Sequence, residues 1–487
     1  DYPVVMLDQA GIKYPAGAVK DGKIKFRTLW DSREFRRGNG KALLEDAMTI
    51  EKSHIRTFGD METKYYFRGP ITKNPEAFRD ILWDVARASQ KSGVKYMEQS
   101  VSNVLDPEIL KIAERELPLI EKATGVKVRF LVGLWRHSDP EWNLDEITRV
   151  KRMTRASPYI VGVDFMGHET NSSQDIGSQI KASADLTAEF GPGFQVRVHA
   201  GENPLNPSNV RVAAELGASR VGHGIYIEKD FDAIKRDPLT QKIDAKVLKG
   251  LKDAGTIVEL NPASNQALNN LSGGSDVVLV QFKQLKEAGI PVVFGTDGIG
   301  MYGADHREIE RIIKQLGFTS DDLAYVKQSE TKYLEKANQS FEKRRQAIAT
   351  NGSKIPTKVE LEAFVKQEGQ HYTAELSQKR AQDQKARLEN MRTDFASKNI
   401  KPYDAHVSEF EGMKAIDVSG GSQSQFATLE KEGRMGELKL PEIQKNFREL
   451  LRKLDPKKVF FLTGGTQFGV EKILHEEVAL FNALNPT

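Results

Sequence analysis

Two histidines, a glutamate and an aspartate recur in short motifs in the middle of the chain: His199-Ala200-Gly201-Glu202, Gly222-His223-Gly224 and Gly295-Thr296-Asp297-Gly298, with Asn261-Pro262-Ala263-Ser264-Asn265 between the last two. Each follows a short run rich in β-branched or apolar residues. The polar residues therefore fall where successive parallel strands end, which in a barrel of alternating strands and helices is the catalytic face. Histidine and carboxylate delivered from separate strands to one rim are suited to holding a hydrolytic zinc ion.

Each residue also has a plainer role open to it. His199 closes the run Gln195-Val196-Arg197-Val198, and a strand-end histidine is often only hydrogen-bonded structure. Glu202 lies in a glycine-containing turn, where it could serve as general acid or base beside a metal-bound water, or simply favour a helix N-terminus. His223 stands between two glycines, which permit close backbone approach and suit a ligand pocket. Asp297 ends the apolar run Val292–Thr296, where a carboxylate calls for a cation. Spread over three strand ends, the four residues argue for function more strongly together than any does alone.

The elements that must position them alternate from about residue 90. Expected strands are Val94–Gln99, Val128–Leu134, Tyr159–Met166, Phe194–His199, Arg220–Gly222, Ile257–Asn261 and Pro291–Thr296. Amphipathic stretches such as Pro107–Leu117, Asp145–Thr154 and Val278–Ala288 lie between them. Short apolar strands alternating with helices predict a parallel α/β sheet, here a TIM-type (β/α)8 barrel. Seven strands are counted and the closed barrel needs eight. The expected eighth is Pro3–Leu7, ending at Asp8, while Lys23–Trp30 alternates polar and apolar residues and reads as a half-exposed hairpin strand.

At 487 residues the chain is expected to hold more than one domain. The barrel is assigned to residues 1–345, a charged helical linker or arm to 346–410, and a small α/β segment to 411–487. In the arm, segments 358–369 and 371–399 read as solvent-facing helices, a surface suited to homo-oligomerisation rather than to nucleic acid because both charge signs are interspersed. The last segment holds Ser419-Gly420-Gly421-Ser422 and Thr463-Gly464-Gly465-Thr466-Gln467-Phe468-Gly469, each after a strand-like run. That pattern resembles an incomplete Rossmann-like nucleotide-binding unit, although the glycines could equally serve tight turns.

With 29% charged residues and a formal net charge of +3, the chain carries no electrostatic signature of nucleic-acid or membrane binding. The absence of cysteine excludes disulfides and cysteine-ligated zinc. No apolar run is long enough to span a bilayer, and a cytoplasmic protein is the plainest expectation.

The order and spacing of the rim motifs resemble the adenosine deaminase family of metal-dependent aminohydrolases. The likeness extends from the N-terminus to about Phe341 and includes Met97-Glu98, Arg136-His137, Val161–Glu169 and Asn338-Gln339-Ser340-Phe341. It implies a hydrolytic deaminase that converts an adenine nucleoside or nucleotide to its inosine form. His199 and Asp297 would bind Zn2+, Glu202 would pass a proton to the purine ring, and His223 and Asp297 would assist the attacking water. Gly167 would lie under the base, Asp8 would contact the ribose, and Gly298 occupies a position where the family commonly has a second, purine-holding aspartate.

The family's first strand carries a His-x-His pair that completes the zinc site, and no such pair occurs among the nine histidines. Aligned on Leu7-Asp8, that strand has Val4 and Met6 in the two positions; valine cannot ligate, and methionine sulfur is a poor donor for hydrolytic zinc. Three arrangements follow. The metal strand precedes Asp1; or His168 or His306 completes a rearranged site; or the barrel is a catalytically degenerate purine-nucleotide sensor or scaffold.

Overall fold

The computed structural model describes residues 2–49, 64–65, 68–202, 206–228, 242–267 and 276–368. The chain divides into two compact units, Asp1–Gln382 and Asp383–Thr487. The second unit, the Gly-Gly segment 411–487 and the helix expected over 371–399 lie outside the described residues.

Seven parallel strands form one sheet in sequential order: β3 (Tyr96–Ser100), β4 (Lys127–Trp135), β5 (Ile160–Met166), β6 (Gln195–Ala200), β7 (Arg220–His223), β8 (Ile257–Leu260) and β9 (Val292–Phe294). These are the seven expected strands, with ends displaced by a few residues at most. A separate two-stranded antiparallel sheet joins β1 (Tyr2–Pro3) to β2 (Lys23–Ile24).

The eighth strand was expected at Pro3–Leu7; instead, α1 (Val4–Gln9) is a helix. In a strand, residues two apart share a face, yet Val5 is 59% exposed and Leu7 fully buried. Leu7 packs with Tyr2, Ile12, Ile24, Leu29 and Phe35 in a small apolar cluster apart from the main core. Asp8 therefore does not stand at a barrel strand end; it accepts a hydrogen bond from Tyr14 Oη at 2.9 Å. Val4 and Met6 fill no rim position. Lys23–Trp30 is likewise not one strand, since β2 is two residues long and Phe26–Asp31 is helical.

Helices return the chain between strands: α2 (Pro75–Lys91) before β3, then α3 (Pro107–Thr124), α4 (Pro140–Thr154), α5 (Gly177–Phe190), α6 (Asn209–Glu215) and α7 (Ala245–Ala254). Three start alike. Asn74, Asp106 and Asp139 accept a backbone N–H of the first turn, and proline follows each. The acceptor satisfies a free donor, and proline costs nothing where no N–H is needed. Between β8 and β9 come α8 (Pro262–Ala267) and α9 (Asp276–Glu287); after β9 come α10 (Ile299–Tyr302), α11 (His306–Gln315) and α12 (Ser320–Asn351).

The main core lies between the sheet's outer face and the helices. Val128, Phe130, Val132, Leu134, Val163, Phe165, Val196, Val198, Val221, Val258 and Leu260 alternate along the strands to fill it. The inner face is different. In place of the branched apolar layers usual in such barrels, it presents Glu98, Asp164, Arg197, Arg220 and Glu259, all buried and ion-paired.

Helix α12 runs beneath the N-terminal ends of the strands. The Arg344 guanidinium donates to the backbone oxygens of Pro158 and Ile160, and the Tyr333 hydroxyl donates to Glu98 on β3. Residues 358–368 are helical but not solvent-facing throughout. Leu361 and Val365 are buried, and Glu362 and Glu368 pair with Arg149 and Lys151 of α4. Among the described residues no helix is long and apolar enough to cross a membrane.

Candidate active site

The C-terminal ends of β5 to β9 converge on His199, Glu202, His223 and Asp297. His199, the penultimate residue of β6, has its ring edge-on to His223, centroids 5.0 Å apart. Ligand atoms of His199, Glu202 and His223 all lie within 4.8 Å of one another. Asp297 stands just outside that group, but its charge acts on both Glu202 and His223.

Backbone geometry aims these side chains. His223 has φ 76° and Asp297 φ 56°. Non-glycine residues in the left-handed region cost energy and persist where the surroundings over-determine them, often at functional sites. Gly201 (φ 73°) has no such latitude: a Cβ there would lie 2.8 Å from the Tyr226 backbone oxygen and 2.9 Å from Val210. The tight turn brings Glu202 over the end of β6.

Two residues hold Glu202 and His223 in place. The buried Glu169 carboxylate accepts the Gly201 N–H at 3.0 Å and the Glu202 N–H at 2.7 Å, and Asn209 Nδ2 donates to it at 2.7 Å. Asn265 Nδ2 donates to the Glu202 backbone oxygen at 3.3 Å. That contact turns the Asn265 Oδ1 toward His223 Nδ1, 3.0 Å away. An amide oxygen can only accept, so Nδ1 carries the proton and Nε2 presents its lone pair when the ring is neutral.

His223 Nε2 faces Glu202 Oε1 at 3.8 Å. Among the described residues neither His223 Nε2 nor Glu202 Oε2 has a hydrogen-bond partner, and both are buried. Burial raises the Glu202 carboxyl above the usual range. Burial alone would lower His223, but Glu202, Asp297 and the Asn265 bond outweigh it and raise the imidazole.

Beneath this pair lies a ladder of buried charge. Arg197 Nη1 sits 2.5 Å from Asp164 Oδ2 and 2.7 Å from His199 Nε2, while Nη2 and Nε reach Glu259 at 2.6 and 3.2 Å. Arg220 pairs with Glu98 at 2.6 Å. Burial opposes ionisation of Asp164 and Glu259, yet Arg197, helped by His199, holds Asp164 well below the usual carboxylate range, and Arg197 and Arg220 bring Glu259 to about 2. Gly222 makes room for the guanidinium, since a Cβ there would lie 3.0 Å from Arg197 Nη2.

The remaining expected residues fall as follows. Gly167 (φ 113°) ends β5 beside Arg136, Trp135 and His137, and Gly298 precedes α10. His168 joins His137 rather than His199: the His137 Nε2–H donates to the His168 backbone oxygen at 2.5 Å. His306 is part-exposed on α11 beside Glu310. Neither completes the central group. Sequence reasoning gave no role to Glu169, Asn265, Asp164, Arg197, Tyr65 or Tyr302, although Asp164, Glu169 and Asn265 stand inside motifs it singled out. The Tyr65 and Tyr302 hydroxyls are kept protonated, chiefly by burial and then by the charge of Asp297. Arg68 beside them donates to the Gly300 backbone oxygen.

The described residues thus form an α/β fold of seven sequential parallel strands with helices between them, carrying a buried acid, two histidines and a second carboxylate at the C-terminal rim of its sheet. The adenosine deaminase family model matches residues 37–349, and the chain belongs to that family. An adenosine deaminase of Enterococcus faecalis is 25% identical over 289 residues, covering 57% of this chain and 77% of the relative. An adenine deaminase of Rhizobium rhizogenes is 27% identical over 207 residues, covering 42% and 56%. Among solved structures, adenine deaminase from Arthrobacter aurescens aligns at TM-score 0.47 and 16% identity, over 72% of this chain and 93% of that one. Arabidopsis ADAL complexed with IMP aligns at TM-score 0.49 and 15% identity, over 70% and 96%.

Proposed function

We propose that the chain hydrolyses the exocyclic amine of an adenine-type base, nucleoside or nucleotide, releasing ammonia. The observation that carries this reading is the buried pair Glu202 Oε2 and His223 Nε2, which have no hydrogen-bond partner among the described residues while Glu169 holds the Glu202 backbone and Asn265 the His223 ring. A buried, raised carboxyl is suited to deliver a proton to a ring nitrogen as water adds at the neighbouring carbon. His223, with Nδ1–H committed to Asn265, offers Nε2 to orient the attacking water and take up its proton. Asp297 favours the charged imidazolium that results.

The donor chemistry fits a divalent metal: imidazole and carboxylate atoms converge, and two of them are buried without partners. His199 would hold the ion, with Glu202 and His223 offering the other converging ligand atoms and Asp297 a further carboxylate outside that group. A bound zinc ion would supply a Lewis acid that lowers the pKa of water.

The test is ammonia release from adenine, adenosine and AMP, measured with and without added zinc, with Glu202→Gln as control. Turnover by the wild type that the variant loses is the expected outcome. No ammonia from any of the three, with zinc present, would remove the reading.

A further inference from the structure

The Arg197 guanidinium is bonded to the nitrogen that a metal would need. Nη1 lies 2.7 Å from His199 Nε2. Asp164 Oδ2 also lies near Nε2, at 3.4 Å, but the arginine is much closer and can only donate, so Nε2 of the neutral ring accepts from it and its single lone pair is occupied. The proton of the neutral ring is then on Nδ1. An ion on Nε2 must displace the guanidinium; an ion on Nδ1 must move the proton to Nε2, where it would face the same donor. Both routes require the Arg197–His199 bond to break. The guanidinium stays charged under all working conditions, so its charge also repels a cation seated at that ring.

The surroundings make the bond breakable. Two separate contacts tie Arg197 to Glu259, and a third ties it to Asp164, so it can give up His199 and remain paired. Asp164 Oδ1 is buried and has no partner. Gly222, against which the guanidinium lies, supplies no side chain to trap it.

We propose that Arg197 is an internal competitor for the metal: the Arg197–His199 bond and metal binding at His199 are mutually exclusive, and the arginine sets the affinity of the site. This rests on the reading that His199 is a metal ligand, and it concerns how tightly the ion is held rather than the reaction.

The experiment is zinc affinity, read by competition with a chromophoric chelator and without substrate, for the wild type, Arg197→Gln, Arg197→Lys, His199→Ala and the Arg197→Gln/His199→Ala double variant. Arg197→Gln removes a competing charge-assisted hydrogen bond and should bind zinc about tenfold more tightly or better, Arg197→Lys should stay within a few-fold of wild type, and His199→Ala should cancel the gain. Unchanged or weaker affinity in a folded Arg197→Gln protein overturns the proposal. Because that variant leaves Asp164 and Glu259 short of a cation, 15N NMR of His199 in the wild type supplies a second test. Metal-free protein should show an unprotonated Nε2 and zinc should change its shift; a protonated Nε2 in the metal-free protein also overturns the proposal. Loss of deaminase turnover would bear on the proposed function alone, since neither measurement uses catalysis.

Discussion

His223 Nε2 and Glu202 Oε1 face each other across 3.8 Å, both side chains buried and each residue held from behind by a hydrogen bond to its own support. Asn265 commits the histidine's other nitrogen, and Glu169 holds the glutamate's backbone. Two acceptors so placed must share a proton, a cation or a polar substrate atom. In Glu202→Gln the shape is kept and the acid is lost. We expect kcat for deamination to fall about 10²–10⁴-fold with little change in thermal stability. Steady-state kinetics at saturating substrate measure this, and a variant keeping full kcat would place the proton donor elsewhere.

Glu169 does its work at a distance from the pocket. In Glu169→Ala the Gly201 and Glu202 N–H groups lose their acceptor inside the protein, at a cost of about 2–5 kcal/mol for the pair. Urea unfolding should show that loss as a lower midpoint. Asparagine at the same place, too short to bridge both amides, should recover little of it, and full recovery would mean that the two bonds are not what matters.

The Asn265 amide couples the glutamate turn to the histidine. Asn265→Ala leaves His223 Nδ1 without an acceptor and frees the imidazole to change tautomer. A loss of about 10–100-fold in kcat is expected, with KM nearly unchanged because no substrate contact is removed. A change confined to KM would instead put Asn265 in contact with substrate.

The ladder beneath the site makes a pH prediction. Arg197 and Arg220 pull Glu259 from its ordinary 4.5 down to about 2 against the effect of burial. A carboxyl whose pKa is depressed on folding stabilises the fold above its unfolded value and loses that contribution as pH falls through its folded one. Stability from this group should therefore be full above pH 4.5 and decline toward pH 2. Urea midpoints measured down this range should fall in the wild type, and Glu259→Gln should flatten part of the slope at the price of lower stability near neutrality.

What was legible in the sequence followed from local pattern. Gln195-Val196-Arg197-Val198-His199 alternates because one face of β6 meets helices and the other looks into the barrel, and all seven strands carry some form of that signal. The N-terminal segment misled for the same reason. Val4 and Val5 favour a strand locally, yet a partner two dozen residues away, Ile24, and the turn at Gly11 draw the segment into a separate cluster as a helix. The supports of the site were hidden because their partners are remote. Glu169 meets Gly201 from 32 residues away and Arg197 meets Glu259 from 62. No spacing rule links such residues, and a charged residue at an inward strand position gives no sign of which neighbour neutralises it.

Gly201 offers the sharpest separation between fold and chemistry. Its φ of 73° lies where side chains are strained, and a Cβ would meet the Tyr226 carbonyl oxygen at 2.8 Å, a backbone atom that cannot rotate away. Gly201→Ala should destabilise the barrel by about 1–3 kcal/mol and shift the turn that carries Glu202. Because the Gly201 carbonyl also accepts the Ile225 and Tyr226 N–H groups, the strain should pass to the loop after His223. Activity should therefore fall by more than the loss of folded protein explains. Kinetics at a temperature where the variant is fully folded by circular dichroism test this: normal kcat under those conditions would show that the turn tolerates a methyl group and that Glu202 is aimed by Glu169 alone.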